Sequence, residues 1–116
     1  MAEINVAAKT PSPKHGNSFM AYLATPPSGK GPGILLIQEI FGVNQVMRDL
    51  ADGFARQGYV VACPDIFWRQ QPRIQITDKS EAEWKQAFGL FQGFDFALGI
   101  EDLTATVEPG VTREQL

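Results

Sequence analysis

Two continuous apolar runs, Ile34 to Ile37 and Tyr59 to Cys63, flank a stretch of helical periodicity, and that arrangement leaves few folds open. A run without polar alternation suits a strand covered on both faces, so Ile34 to Ile37 is expected as a central strand. Between the runs, Asn44 is a good N-cap, and Val46, Met47, Leu50, Ala51 and Phe54 recur at helical spacing. Gly58 is placed to close the helix in the left-handed conformation, with Arg56 beside the negative end of its dipole. Strand, helix and strand make a βαβ unit with parallel strands and a right-handed crossover, hence an α/β fold.

Upstream, Ile4 to Ala8 and Phe19 to Ala24 read as two short strands joined by a turn holding Pro11, Pro13, Gly16 and Asn17. His15, the sole histidine, sits in that turn, where a solvated role outweighs catalysis because nothing nearby would orient it. Thr25 to Gly33 carries three glycines, but they precede a strand. Phosphate-binding glycines follow a strand and open a helix, so this segment is a connection rather than a nucleotide cradle.

Ile66 to Asp78 is polar and aperiodic, as expected of a surface loop. Ser80 and Glu83 then form a capping box opening a helix that carries Trp84, Ala87, Phe88 and Phe91, and Gly89 and Gly93 weaken it. Asp95 is placed to cap another helix with Phe96, Ile100, Leu103 and Val107, which Pro109 and Gly110 stop. The aromatic stripe is expected to be core rather than a ligand box.

A length of 116 residues and 44% hydrophobic content fit one small globular domain over residues 1–116, and no repeat or linker divides it. The net charge of -3 comes without a basic tract, which argues against nucleic-acid binding. Cys63 is the only cysteine, the amino terminus lacks signal-peptide character, and no apolar run reaches membrane-spanning length. A soluble, cytoplasmic protein without a metal or cofactor is the expectation.

Glu39 carries the chemistry most directly. A charged residue at the carboxyl end of an apolar strand needs partners if it is buried, and that position marks either a site or an ordinary loop. Cys63, inside an apolar run, reads as a small buried hydrophobe rather than a nucleophile. Asp65 at the next strand tip could orient another group, and turn chemistry explains it equally well.

The segment QEIFGVNQVMRDLADGFARQGYVVACPDIF, Gln38 to Phe67, resembles the amino-terminal region of the dienelactone hydrolase (carboxymethylenebutenolidase) family, whose members are α/β-hydrolases. The similarity continues through Trp84 to Val107 and loosely covers the early strands. It implies a truncated α/β-hydrolase domain with an incomplete sheet, acting on a small lactone or carboxylic ester through a cysteine (or serine) nucleophile followed by an aspartate and a histidine. The chain holds no G-x-C-x-G or G-x-S-x-G, and His15 precedes the first secure strand, so the triad cannot be assembled from it.

In the family, the glutamate at the position of Glu39 helps activate the thiol, and the amide at the position of Ile40 contributes to the oxyanion hole. Founding members hold a substrate carboxylate with an arginine and a tyrosine one helical turn apart, and Trp84 and Phe88 occupy those positions here. Neither can form that charged contact; Lys85, Arg69 and Arg73 are the candidates to replace it. The resemblance therefore implies half of an enzyme, inactive by itself. The alternative is a truncated scaffold that self-associates, as a homodimer, or pairs with a partner through its open sheet edge. A flavodoxin-like binding domain is weakened because no phosphate loop follows the strand. The tail from Glu108 to Leu116 departs from the family pattern.

Overall fold

The computed structural model describes residues 2–108. Strands β1 (Ala2–Ser12) and β2 (Gly16–Ala24) are followed by β3 (Gly33–Leu35), helix α1 (Gln45–Arg56), β4 (Val60–Pro64), and helices α2 (Glu81–Gln92) and α3 (Phe96–Val107). The strands form one mixed sheet in the order β1-β2-β4-β3. β1–β2 and β2–β4 are antiparallel, and β3–β4 is the expected parallel pair.

The early strands are longer than the apolar stretches suggest, and Pro11 lies within β1. Because β1 is a sheet edge, a residue without an amide proton is tolerated there. Along β2, alternation divides the core: Met20, Tyr22 and Ala24 pack with Met47, Ala51 and Ala55 of α1, whereas Phe19 and Ala21 join Trp68 and Ala105 on the opposite face. The sheet is thus covered by α1 on one side and α3 on the other.

The helix ends follow local chemistry. The Asn44 side chain accepts from the Met47 amide, Ser80 from the Glu83 amide and Asp95 from the Leu98 amide. Gly58 has φ of 105°, the left-handed conformation expected of it. The helix stop expected at Pro109 and Gly110, and the tail beyond Glu108, lie outside the described residues.

Three expectations need correction. The Ile34 to Ile37 run is not central: β3 spans three residues at a sheet edge among the described residues, and Ile37 is 52% exposed. β2 and β4 take the central places, and every residue of β4 is buried. The loop after β4 is not merely a surface loop, since Phe67, Trp68 and Ile74 are buried. The aromatic stripe is not core either: Trp84, Phe88 and Phe91 are exposed, because Ala87 and Leu90 occupy the inward face of α2. Phe96 and Ile100 of α3 are likewise exposed.

Candidate active site

The chain leaves β3 through Leu36 and Ile37 and turns sharply at Glu39 to Gly42, where the Gly42 amide donates to the Glu39 carbonyl at 3.3 Å. Gly42 has φ of 83°, and a Cβ added there would lie 2.0 Å from the Ile74 carbonyl oxygen. Only glycine fits both the conformation and the approach of the 66–78 loop. That loop is tied down again by the Asn44 side-chain amide, which donates to the Ile76 carbonyl at 2.8 Å.

Glu39 and Ile40 border an open apolar cavity of about 320 Å³, walled by Ile66 and Phe67 after β4, by Phe91 of α2, by Phe96 and Ile100 of α3, and by Phe94 between those helices. The Glu39 residue is exposed, so its charge bears little desolvation cost here. Three arginines form ion pairs away from Glu39: Arg48 and Arg73 with Glu3, and Arg69 with Asp102. Among the described residues, the Ile40 amide has no backbone acceptor. The turn therefore presents a carboxylate and an uncommitted N–H beside an apolar space, a combination that can accept a proton and stabilise an oxyanion.

Gln38, which sequence reasoning passed over, is buried between these parts. Its Nε2 donates to the Glu39 carbonyl at 3.0 Å, and its Oε1 accepts from the Ile66 amide at 3.1 Å. A glutamine interrupting an apolar strand end is the signal that could have found it, since a buried amide must be satisfied on both sides.

The other sequence candidates are dispersed. Trp84 and Phe88 stack on each other with ring centroids 5.4 Å apart, and Trp84 meets Phe41 edge-on at 5.0 Å. They stand next to the turn through Phe41 and do not line the cavity. Arg69 and Arg73, offered as substitutes for a substrate-carboxylate contact, are already paired, and Lys85 lies on exposed α2 surface. The His15 backbone amide donates to Ser12 Oγ at 3.2 Å, and its ring Nε2 lies 3.1 Å from the Gln70 carbonyl oxygen.

Cys63 is fully buried in the α1 core, and burial pushes its thiol up to about 12. It is a packing residue rather than a nucleophile. Asp65 is also buried; burial pushes its carboxyl up to about 6, against the opposing pull of the Arg73 amide, which donates to Oδ2 at 2.6 Å. Its role is to hold the turn at Arg73, whose φ of 63° is left-handed.

A mixed sheet with helices on both faces, and a candidate oxyanion turn between the third strand and the first helix, is the arrangement of an α/β-hydrolase, which draws one oxyanion amide from that loop. The sequence profile of the dienelactone hydrolase family matches residues 19–113, most of the chain. This chain belongs to the dienelactone hydrolase family. A relative from Azospirillum brasilense is 61% identical over 79 residues, covering 67% of this chain and 34% of its own length. A carboxymethylenebutenolidase of Pseudomonas sp. (strain P51) is 39% identical over 94 residues, covering 81% of this chain and 40% of the relative. A crystal structure from Klebsiella pneumoniae subsp. pneumoniae, bearing the dienelactone hydrolase name, superposes with a TM-score of 0.64 at 28% identity, covering 93% of this chain and 43% of that one. The chain thus spans well under half the length of these relatives.

Proposed function

We propose that this chain forms one wall of the active site of an enzyme that hydrolyses a small lactone or carboxylic ester. Glu39 is the carboxylate that takes part in activating a thiol, and the Ile40 amide donates to the oxyanion. The observation that carries this reading is the position of the Glu39–Ile40 turn, directly after β3 and bordering the apolar cavity. The nucleophile is a cysteine (or serine) supplied from outside these 116 residues, as are the acid and histidine of the triad.

In this scheme the nucleophile adds to the substrate carbonyl, and charge develops on the carbonyl oxygen within reach of the Ile40 N–H. The leaving oxygen departs to give an acyl-enzyme, which water then hydrolyses. Phe91, Phe94, Phe96 and Ile100 supply an apolar wall for the non-reacting part of the substrate. A reducing cytoplasm belongs to the same reading, since the fold uses its one cysteine as an unpaired buried thiol.

The test compares the 116-residue chain with a chimera in which residues 19–108 replace the corresponding segment of the Pseudomonas sp. (strain P51) relative, which matches this chain over 94 residues. The chain alone should leave an activated ester at the buffer rate, and the chimera should hydrolyse it. Turnover by the chain alone, insensitive to a thiol-blocking reagent, contradicts the proposal.

A second reading is supported by β3 itself, which among the described residues pairs on one side only and is followed by exposed Ile37. On this reading the chain is an inactive scaffold that dimerises, or takes a partner strand, along that edge. Light scattering at high concentration should then show a dimer, and a clean monomer contradicts self-association.

A further inference from the structure

We propose that Gln38 is a positioning residue that fixes the plane of the Glu39–Ile40 peptide. The inference rests on the oxyanion role assigned above to the Ile40 amide. The carbonyl of Glu39 and the N–H of Ile40 belong to one planar trans peptide, so whatever holds the oxygen also aims the proton in the opposite direction. Two donors hold that oxygen: Gln38 Nε2 at 3.0 Å and the Gly42 amide at 3.3 Å.

The Gln38 carboxamide is itself anchored, because its Oε1 accepts from the Ile66 amide, 28 residues away in the turn just after β4. Only one orientation of that carboxamide satisfies both neighbours, since Glu39 offers an acceptor and Ile66 a donor. The clamp therefore ties the turn after β3 to the segment that leaves the buried central strand β4, two residues beyond that strand's end. A donor on the carbonyl also polarises the peptide, which strengthens the N–H at its other end as a hydrogen-bond donor. Preorganisation of this kind is what an oxyanion donor requires, because a donor that must reorient during the reaction loses its advantage.

The experiment uses the whole isotope-labelled chain. Gln38→Met keeps the side-chain length and removes both hydrogen-bonding groups. The backbone order parameter at the Ile40 amide should fall from a rigid value of about 0.85 to below about 0.6, while α1 and β4 keep theirs. Gln38→Glu, as the anion, keeps an acceptor for the Ile66 amide and loses the donor to Glu39; it should loosen Ile40 in the same way. An unchanged Ile40 order parameter in either folded variant overturns the clamp. The unmutated chain gives a check independent of folding: the Gln38 carboxamide protons should exchange slowly and show an Overhauser effect to the Gly42 amide, and rapid exchange without it overturns the proposal.

A kinetic arm separates the clamp from its purpose. In the chimera described above, Gln38→Met should lower kcat about tenfold with KM held within about twofold, the mark of a group acting on the transition state through another. Loss of order at Ile40 with unchanged kcat overturns the positioning role even though the clamp exists. Failure of the Glu39→Ala substitution to affect the same chimera would instead count against the proposed function, leaving the resonance measurements on Gln38 as they stand.

Discussion

Arg69 and Asp102 form a two-pronged ion pair, with Nε to Oδ2 at 3.0 Å and Nη2 to Oδ1 at 2.8 Å, and the Asp102 side chain is fully buried. The Trp68 indole N–H adds a third bond to Oδ2 at 3.0 Å, and the Arg69 guanidinium lies over the Trp68 ring. These contacts bind α3 to the loop after β4, and α3 carries part of the cavity wall. The pair stabilises the site's architecture rather than holding a substrate carboxylate.

Asp102→Ala leaves a largely buried guanidinium and an indole N–H without their acceptor, which should cost about 3–5 kcal/mol. Asp102→Asn keeps one acceptor oxygen and should cost less. Urea denaturation checks both. A loss below about 1 kcal/mol for the alanine variant contradicts the structural role, being what an exposed pair would give.

Asp65 gives a pH dependence of definite sign. Its folded-state pKa, about 6, lies above the ordinary carboxylate value, so the folded state holds the proton more tightly than the unfolded chain. Its contribution to stability is fully present below the unfolded pKa and is lost as pH rises through about 6. The stability difference between wild type and Asp65→Asn should shift against wild type by about 3 kcal/mol between pH 3.5 and 7, values taken as about half a unit below and three units above the unfolded pKa. Urea titrations of the two proteins across that range measure it, and a flat difference contradicts it.

Cys63 should resist a thiol reagent at about pH 8, since it is both fully buried and pushed up to about 12. Labelling should begin only as denaturant unfolds the protein. Rapid labelling of the native chain would contradict the packing role.

Gly42→Ala should destabilise the protein by at least about 2 kcal/mol, combining a left-handed backbone with a Cβ against the Ile74 carbonyl. Thermal or urea unfolding tests this, and a neutral substitution contradicts the close packing of the turn against the 66–78 loop.

The local chemistry of this fold was legible in the sequence. Asn44, Gly58, the Ser80 and Glu83 box and Asp95 act within a few residues of themselves, and each marks the helix end expected of it. What the sequence hid depends on distant partners. Arg69 meets Asp102 across 33 residues, so its commitment could not be read from the loop that carries it. Gln38 reaches Ile66 across 28, and the cavity wall from Phe91 to Ile100 is brought to Glu39 only by tertiary packing. The apolar run in β3 points to a central strand, yet its outer edge is unpaired among the described residues. Glu39 stands out by its position after the strand and by the family resemblance, and Ile40 through the resemblance alone; the cavity beside them is a structural finding.

The central claim, that the turn after β3 is an active-site wall, is tested most directly by kcat for activated-ester hydrolysis in the chimera carrying residues 19–108, with and without Glu39→Ala. The account predicts a fall of about a hundredfold or more in kcat, the scale of a positioned acid–base group, with the folded structure retained. Equal turnover by the two proteins would contradict it.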